Sequence, residues 1–332
     1  MAALLVTGGA GYIGSHTAKV LARAGRRVIV YDNLSAGHRD AVLGAAFVEG
    51  DVLDVDNLRH LMRAEKVEAV LHFAAWLSVG DSVRDPIGYY RNNVRGSLAV
   101  LEAMAAESVR RFVFSSTAAV YGDPLEVPIT ESHRTLPINA YGETKLAVER
   151  ALCHVERAHG IRWMALRYFN AAGADPEGEL GEDHDPEIHL VPRAIDAALG
   201  GGPLAIFGDD YPTPDGTCLR DYVHVTDLAS AHLLALVALE SGAASNVYNL
   251  GNGRPYSVRE IVRAVERVGG RPVPAVPAPR RAGDPAVLFA SNERARADLG
   301  WRPRLEAIET IVSTAWRWRE SHPLGFGDRR KS

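Results

Sequence analysis

Tyr141 and Lys145 stand four residues apart in YGETKLAVER, a run of good helix formers, so the spacing predicts both on one helical face a turn apart. An ammonium beside a phenol favours the phenolate, and a nicotinium ring nearby favours it more strongly. Such a phenol can act as a general base near neutral pH rather than near its ordinary pKa of about 10. A Tyr-x-x-x-Lys by itself is commonly a surface pair. What raises this one is Ser115-Ser116-Thr117, a hydroxyl cluster at the end of the apolar run RFVFS, able to hold a substrate hydroxyl against the base.

Chemistry of this kind needs a scaffold and an electron carrier, and both are legible at the start of the chain. Leu4–Val6 predicts a buried strand, Gly8, Gly11 and Gly14 follow at a spacing of three, Tyr12–Ala24 predicts a helix, and Val28–Tyr31 a second strand ending at Asp32. A strand, glycine turn, helix and strand with an acidic residue at that place form a dinucleotide-binding unit. The glycines allow a tight turn and close approach to a pyrophosphate, which rests on the N–H groups of the helix start. Asp32 can accept both ribose hydroxyls and repels a 2′-phosphate, so the cofactor expected is NAD rather than NADP. The alternative is an ordinary glycine turn of an α/β protein.

Further along, Phe47-Val48, Ala69–Phe73 and Arg111–Ser115 predict strands, and Val94–Ala106 a helix between the last two. Alternating strands and helices predict an α/β fold, a Rossmann-type doubly wound parallel sheet with ligands at the carboxyl ends of the strands. Asp51, Phe73, Ala74, Ala75 and Ser115 fall at such ends. Beyond about residue 170 the texture loosens, with glycine-rich and acidic loops, helices around Thr226–Leu239 and Val258–Val268, and a proline-rich stretch Arg271–Gly283 read as a docked loop. The division expected is a dinucleotide-binding domain over 1–170, with some later segments returning to it, and a smaller substrate-binding α/β region over 171–332. The last residues, HPLGFGDRRKS, predict a frayed tail.

The composition is that of a chain with a real core: 332 residues, 47% hydrophobic, net charge −4 from 37 basic and 41 acidic residues. Mixed charge gives no nucleic-acid or membrane surface, and no apolar run approaches spanning length. Cys153 and Cys218 form no motif, which suggests a reducing compartment. With the first strand beginning almost at once, no room for a signal peptide is expected, and the expected location is cytoplasmic. Histidines such as His72 and His224 read as packing or hydrogen-bonding residues, and no His, Cys, Asp or Glu cluster has metal-ligand spacing, so no metal is expected.

TGGAGYIG, the SST–YG pattern within Ser115–Gly122 and YGETK resemble the extended short-chain dehydrogenase/reductase family of nucleotide-sugar enzymes. HFAAWLSVGDSV, YYRNNVRGS, LRYFNAAGAD, IFGDDYPTPDGTCLRDYVHVTDLA and RRAGDP are similar, over nearly the full length, to its 4-epimerases of UDP-galactose and UDP-glucose. The resemblance implies tightly held NAD+, a 4-keto intermediate, and catalysis by Thr117, Tyr141 and Lys145, with Thr117 where the family usually carries serine and Lys145 lowering the Tyr141 pKa. It implies cofactor contacts at Gly8, Gly11, Tyr12, Ile13, Gly14, Asp32, Asn33, Leu34, Ser35, Asp51, Val52, Phe73, Ala74, Ala75, Asn92 and Phe169. For the UDP-sugar it implies Asn170, His189, Leu190, Ala205, Phe207, Arg220, Arg281, Asp284 and Leu288, the arginines serving phosphate oxygens bidentately. It also implies a homodimer through parts of Val94–Ala106 and Leu146–Ala158, and a role in galactose metabolism.

Departures from the family pattern are Leu77, where a cofactor-contacting lysine can stand, and His189, where asparagine is frequent and a plain loop histidine is the alternative. Leu288 is intermediate in bulk at a pocket wall that admits or excludes N-acetylated sugars. Ala118 and Ala119 replace the Asp-Glu pair of the sugar 4,6-dehydratases and cannot move a proton. A 4-epimerase of another UDP-sugar (UDP-GlcNAc, UDP-GalNAc, UDP-xylose, UDP-glucuronate) and a non-catalytic NAD-binding protein stay as alternatives. For Arg220 the alternative is an ion pair with Asp221.

Overall fold

The computed structural model describes residues 2–281 and 285–327. Its strands are β1 (Ala3–Thr7), β2 (Arg27–Asp32), β3 (Ala46–Glu49), β4 (Val67–His72), β5 (Arg111–Thr117), β6 (Arg162–Tyr168), β7 (Asn170–Ala172), β8 (Leu204–Phe207), β9 (Leu219–His224), β10 (Asn246–Leu250), β11 (Pro255–Ser257), β12 (Ala275–Ala278) and β13 (Val287–Leu288). Seven of them form one parallel sheet in the spatial order β10-β6-β5-β4-β1-β2-β3. The order reverses between β1 and β4, which opens the crevice of a doubly wound sheet there.

The sheet is buried on both faces, which explains why its strands read as continuous apolar runs rather than alternating ones. Helices Tyr12–Arg23 and Val225–Glu240 cover one face through Leu21, Leu228 and Leu236. Val55–Ala64, Gly96–Ala106 and Ala140–His159 cover the other through Leu58, Val100 and Leu152. Both a late helix and a late strand, Val225–Glu240 and β10, therefore pack with the N-terminal sheet. The smaller region gathers β7, β9, β11 and β13 in one sheet and β8 with β12 in another, beside helices Leu190–Ala198, Val258–Gly269 and Ile308–Ser321 around their own apolar cluster.

Three local expectations are revised. The proline-rich stretch contributes a strand, β12, paired in parallel with β8, because Ala275 to Ala278 offer the backbone that β8 needs as a partner. The helix expected from Val94 begins at Gly96, after a wider π-type turn over Tyr90–Arg95. The tail is docked as far as Gly327: the Phe326 ring packs against His38 and Trp318, and its N–H donates to Asp183 Oδ2 at 2.9 Å.

Candidate active site

A cavity of about 1080 Å³ runs from the glycine turn across the carboxyl ends of β1, β4 and β5 to the smaller region. Its floor is the turn after β1. A Cβ on Gly8, whose φ is +71°, would lie 2.4 Å from Ala74 N, and one on Gly14 would lie 2.2 Å from Gly8 O. Backbone thus approaches backbone where no side chain fits, a cradle suited to a pyrophosphate. Gly11 caps the helix without a side-chain bond, so the first-turn N–H groups beside Tyr12 and Ile13 face the cavity.

Asp32 Oδ2 accepts from Ala10 N at 3.0 Å and Oδ1 from Leu34 N at 2.9 Å. Each oxygen keeps lone-pair capacity toward the cavity, where Asn33 and Ser35 also line the wall. Burial raises the Asp32 pKa while those two backbone bonds oppose the rise. Val52, Phe73, Ala74, Ala75, Asn92 and Phe169 line the same half. Two expected residues stand differently. Leu34 turns its side chain into the apolar cluster, from a left-handed backbone at φ 57°, and Asp51 is exposed, accepting from Asn33 Nδ2 at 3.0 Å. Together these groups fit NAD by a glycine cradle, free helix N–H groups and a carboxylate at the ribose position.

Tyr141 and Lys145 enter from helix Ala140–His159, which starts where Asn139 accepts from Gly142 N at 2.9 Å and ends at left-handed Gly160. Thr117 comes from the last residue of β5, and its Oγ1 accepts from Ala119 N at 3.1 Å. Thr117 stands beside Tyr141, close enough for its hydroxyl to lower the phenol pKa. The hydroxyl cluster splits by strand alternation: Ser115 and Thr117 line the cavity, while Ser116 points to the opposite face and donates to Glu149. There Glu149 and Arg167 form a buried ion pair behind the site, and Arg167 also donates to Tyr121 at 2.9 Å.

The charge arrangement differs from the expectation for Lys145. Burial pushes its ammonium pKa down to about 7, and Nζ donates to the Ser115 carbonyl at 2.8 Å. The Tyr141 phenol is raised, because burial outweighs the lowering by Thr117. In the bare protein burial disfavours the charged form of each group; the depression of Tyr141 that the resemblance implies concerns the cofactor-loaded site.

The UDP-sugar residues line the other end. Asn170 donates to the Asp221 carbonyl at 2.9 Å, Leu190 and Ala205 form the wall, and the Arg281 guanidinium lies 4.1 Å from the centre of the Phe207 ring. Arg220 lines the cavity and donates to the carbonyls of Leu219 and Pro285. Asp221, its neighbour on β9, points to the other face, where its carboxylate accepts from Asn252, Gly253 and Ala290 backbone N–H groups; burial holds its pKa up at about 6. Leu288 on β13 lies opposite Arg220 in register, and Leu77 lines the cofactor half. Asp284 lies outside the described residues. His189 turns Nδ1 toward Glu182 and Glu187, at 2.8 and 2.9 Å.

Residues that sequence reasoning passed over include Tyr168, which lines the cavity and bonds Ser115 through its hydroxyl, and Trp76, which follows directly on Ala75. Asn93, in the π-type turn, accepts from Trp76 N at 2.8 Å and donates to Trp76 O and Thr144 Oγ1, both at 3.1 Å. The turn thereby ties the β4 loop to helix Ala140–His159, and the only signal was its adjacency to Asn92. The absence of metal-ligand spacing is also revised: Glu182, His184, Glu187 and His189 bring four possible donor atoms together.

Residues 4–251 match the model of the NAD dependent epimerase/dehydratase family, and the chain belongs to that family. Its fold is that of an extended short-chain dehydrogenase/reductase. Within the family, it is 50% identical to the UDP-glucose 4-epimerase of Halalkalibacterium halodurans over 99% of both chains. The crystal structure of UDP-glucose 4-epimerase from Brucella ovis in complex with NAD superposes with a TM-score of 0.93 at 51% identity, over 95% of this chain and 98% of that one. That of Bifidobacterium longum in complex with NAD+ and UDP gives 0.92 at 38%, over 97% and 99%.

Proposed function

We propose that the protein interconverts UDP-galactose and UDP-glucose by reversible epimerisation at the sugar C4, with Tyr141 as the base. The observation that carries this is the convergence of Tyr141, Thr117 and Lys145 on one wall of a cavity whose other wall is the glycine cradle. Family membership and the relatives' names support the reaction. When bound, NAD+ supplies a reversible acceptor for the C4 hydride.

The chain's own residues do the rest. Tyr141 Oη takes the proton of the 4-hydroxyl as the hydride leaves C4, and returns it after the 4-keto sugar has presented its other face. Thr117, whose oxygen already accepts from Ala119 N, has its hydroxyl hydrogen to give, and so can hold the sugar oxygen against the phenol. Lys145 stands where it can hold the nicotinamide ribose, and a cation nearby makes the phenolate easier to form. Arg220 and Arg281 balance the diphosphate, anchoring UDP while the sugar turns in the wide cavity. Ala118 and Ala119 leave no carboxyl group beside the base for elimination of water.

Other parts of the same reading are a cytoplasmic location and a homodimer. Among the described residues no helix is long and apolar enough to cross a membrane. Leu98 is 41% exposed on helix Gly96–Ala106, an apolar position for a partner copy. The test of function is incubation with UDP-galactose without added cofactor, following UDP-glucose by coupled oxidation. Turnover is expected, and Tyr141→Phe is expected to lower it by about 10²–10⁴. Unchanged turnover of that variant would remove the base from this mechanism.

A further inference from the structure

Between β7 and helix Leu190–Ala198 the chain reads Glu182-x-His184-x-x-Glu187-x-His189, and the fold brings one donor atom of each within 4.8 Å of the others. We propose that these four side chains form a structural site for a divalent transition-metal ion, Zn²⁺ by ligand type, at the edge of the nucleotide cavity. Two imidazoles and two carboxylates are a borderline donor set that suits zinc and is poor for calcium or magnesium.

The distances fit. Zinc bonds to nitrogen and oxygen of about 2.0–2.2 Å imply tetrahedral donor–donor edges of roughly 3.3–3.6 Å. His184 Nδ1 lies 3.3 Å from Glu182 Oε1 and 3.6 Å from Glu187 Oε2. His189 Nδ1 lies 2.8 Å from Glu182 Oε1, an edge that opens by about half an ångström on binding, while Glu187 faces His189 through Oε1 at 2.9 Å and offers Oε2 on the His184 side.

A second observation points the same way. His184 Nδ1 is enclosed and makes no hydrogen bond of proper geometry, although Glu182 Oε1 and Glu187 Oε2 lie 3.3 and 3.6 Å away. An enclosed nitrogen without a well-formed bond calls for a partner. The surroundings resemble an outer ligand shell. Glu187 Oε1 accepts from the N–H groups of Ile188 at 2.7 Å and His189 at 2.8 Å, which fixes the carboxylate. Between the donors, Asp183 is held through its carbonyl by His38 Nε2 at 2.9 Å and through Oδ2 by Phe326 N. Glu182, His184 and His189 also line the main cavity, which gives an ion a path in.

The site joins both halves of the pocket. The Tyr12 ring, from the cofactor helix, meets His184 edge-on at 6.2 Å, and Tyr12 Oη donates to the Gly173 carbonyl at 2.6 Å. His189 is the residue that starts helix Leu190–Ala198, and its side chain makes no cap bond there. An ion would clamp that helix start, and with it Leu190, against the cofactor wall.

The test is metal content. Purified holoprotein equilibrated with micromolar Zn²⁺ and then dialysed against metal-free buffer is expected to retain about one zinc per chain by mass spectrometry. His184→Ala is expected to retain less than a tenth of that. Co²⁺ in place of Zn²⁺ is expected to give visible d–d bands that the variant lacks, and chelator should lower the unfolding temperature of the wild type only. Zinc-free wild type after dialysis overturns the proposal, whether or not the variant folds. Equal zinc in wild type and variant also overturns it, since the ion then sits elsewhere. Because metal content is read rather than turnover, failure here leaves the proposed reaction untouched.

Discussion

Lys145 donates from Nζ to the main-chain carbonyl of Ser115 at 2.8 Å, deep in the wall between helix Ala140–His159 and β5. The lysine is 3% exposed and its pKa is about 7, with burial the larger influence and Glu149 opposing it. Between pH 7 and 10.5 the unfolded chain therefore binds a proton that the folded protein does not, and folding stability rises with pH over that window. In Lys145→Met this contribution is absent. The stability difference between wild type and variant, in cofactor-free protein, is expected to move in the wild type's favour by on the order of 4 kcal/mol from pH 7 to pH 10. Urea unfolding at the two pH values measures it, and a pH-independent difference would show the lysine to be charged as it folds.

Thr117 is the group that lowers the Tyr141 pKa against the effect of burial. Thr117→Val removes the hydroxyl with little change of shape, so the base limb of the pH–rate profile should move to higher pH. The rate at neutral pH should fall by about 10²-fold or more. Thr117→Ser restores a hydroxyl and is expected to keep both within a few-fold of wild type. Steady-state profiles of kcat for the three proteins decide this.

Glu149 and Arg167 are both about 6% exposed, and Ser116 also donates to the carboxylate. Glu149→Gln leaves a buried guanidinium without its counter-charge, expected to cost about 3–5 kcal/mol in denaturant unfolding. Neither residue lines the cavity, so the folded fraction should retain its KM.

Gly14→Ala places a methyl 2.2 Å from the Gly8 carbonyl, backbone that cannot step aside without opening the cradle. Loss of NAD from the purified protein is expected, read from the absorbance of the supernatant after denaturation. Gly25→Ala, where a Cβ meets nothing within 4 Å but φ is +75°, should lose only stability, by about 1 kcal/mol. Full NAD occupancy in Gly14→Ala would place the pyrophosphate elsewhere.

Much of the site could be read from the chain because its parts are local in sequence. The glycine turn and Asp32 belong to one βαβ unit, and Tyr141 and Lys145 to one helix, so spacing alone placed each pair. The same locality explains why Phe73, Ala74 and Ala75 were legible: they end an apolar strand. Leu34 and Asp51 were carried over by resemblance; a left-handed backbone turns the Leu34 side chain into the apolar cluster, and Asp51 holds Asn33 of the cavity wall.

What sequence could not supply is what depends on distance in space. Asn93 reaches Thr144, and Tyr168 meets Ser115, across elements far apart in the chain. The pKa values of Tyr141 and Lys145 depend on how much protein covers them, and their helix pattern says nothing of that covering. Even Glu182 to His189, close in sequence, lacks a regular period, and only the turn before helix Leu190–Ala198 folds its four donors onto one point. By itself, then, the amino-acid sequence determined the parallel sheet, the dinucleotide turn and the candidates for the reacting groups, since short-range periodicity and backbone sterics encode them. The tertiary structure alone decided their protonation, their supports and the histidine–glutamate cluster, because desolvation and convergence arise only when distant segments pack.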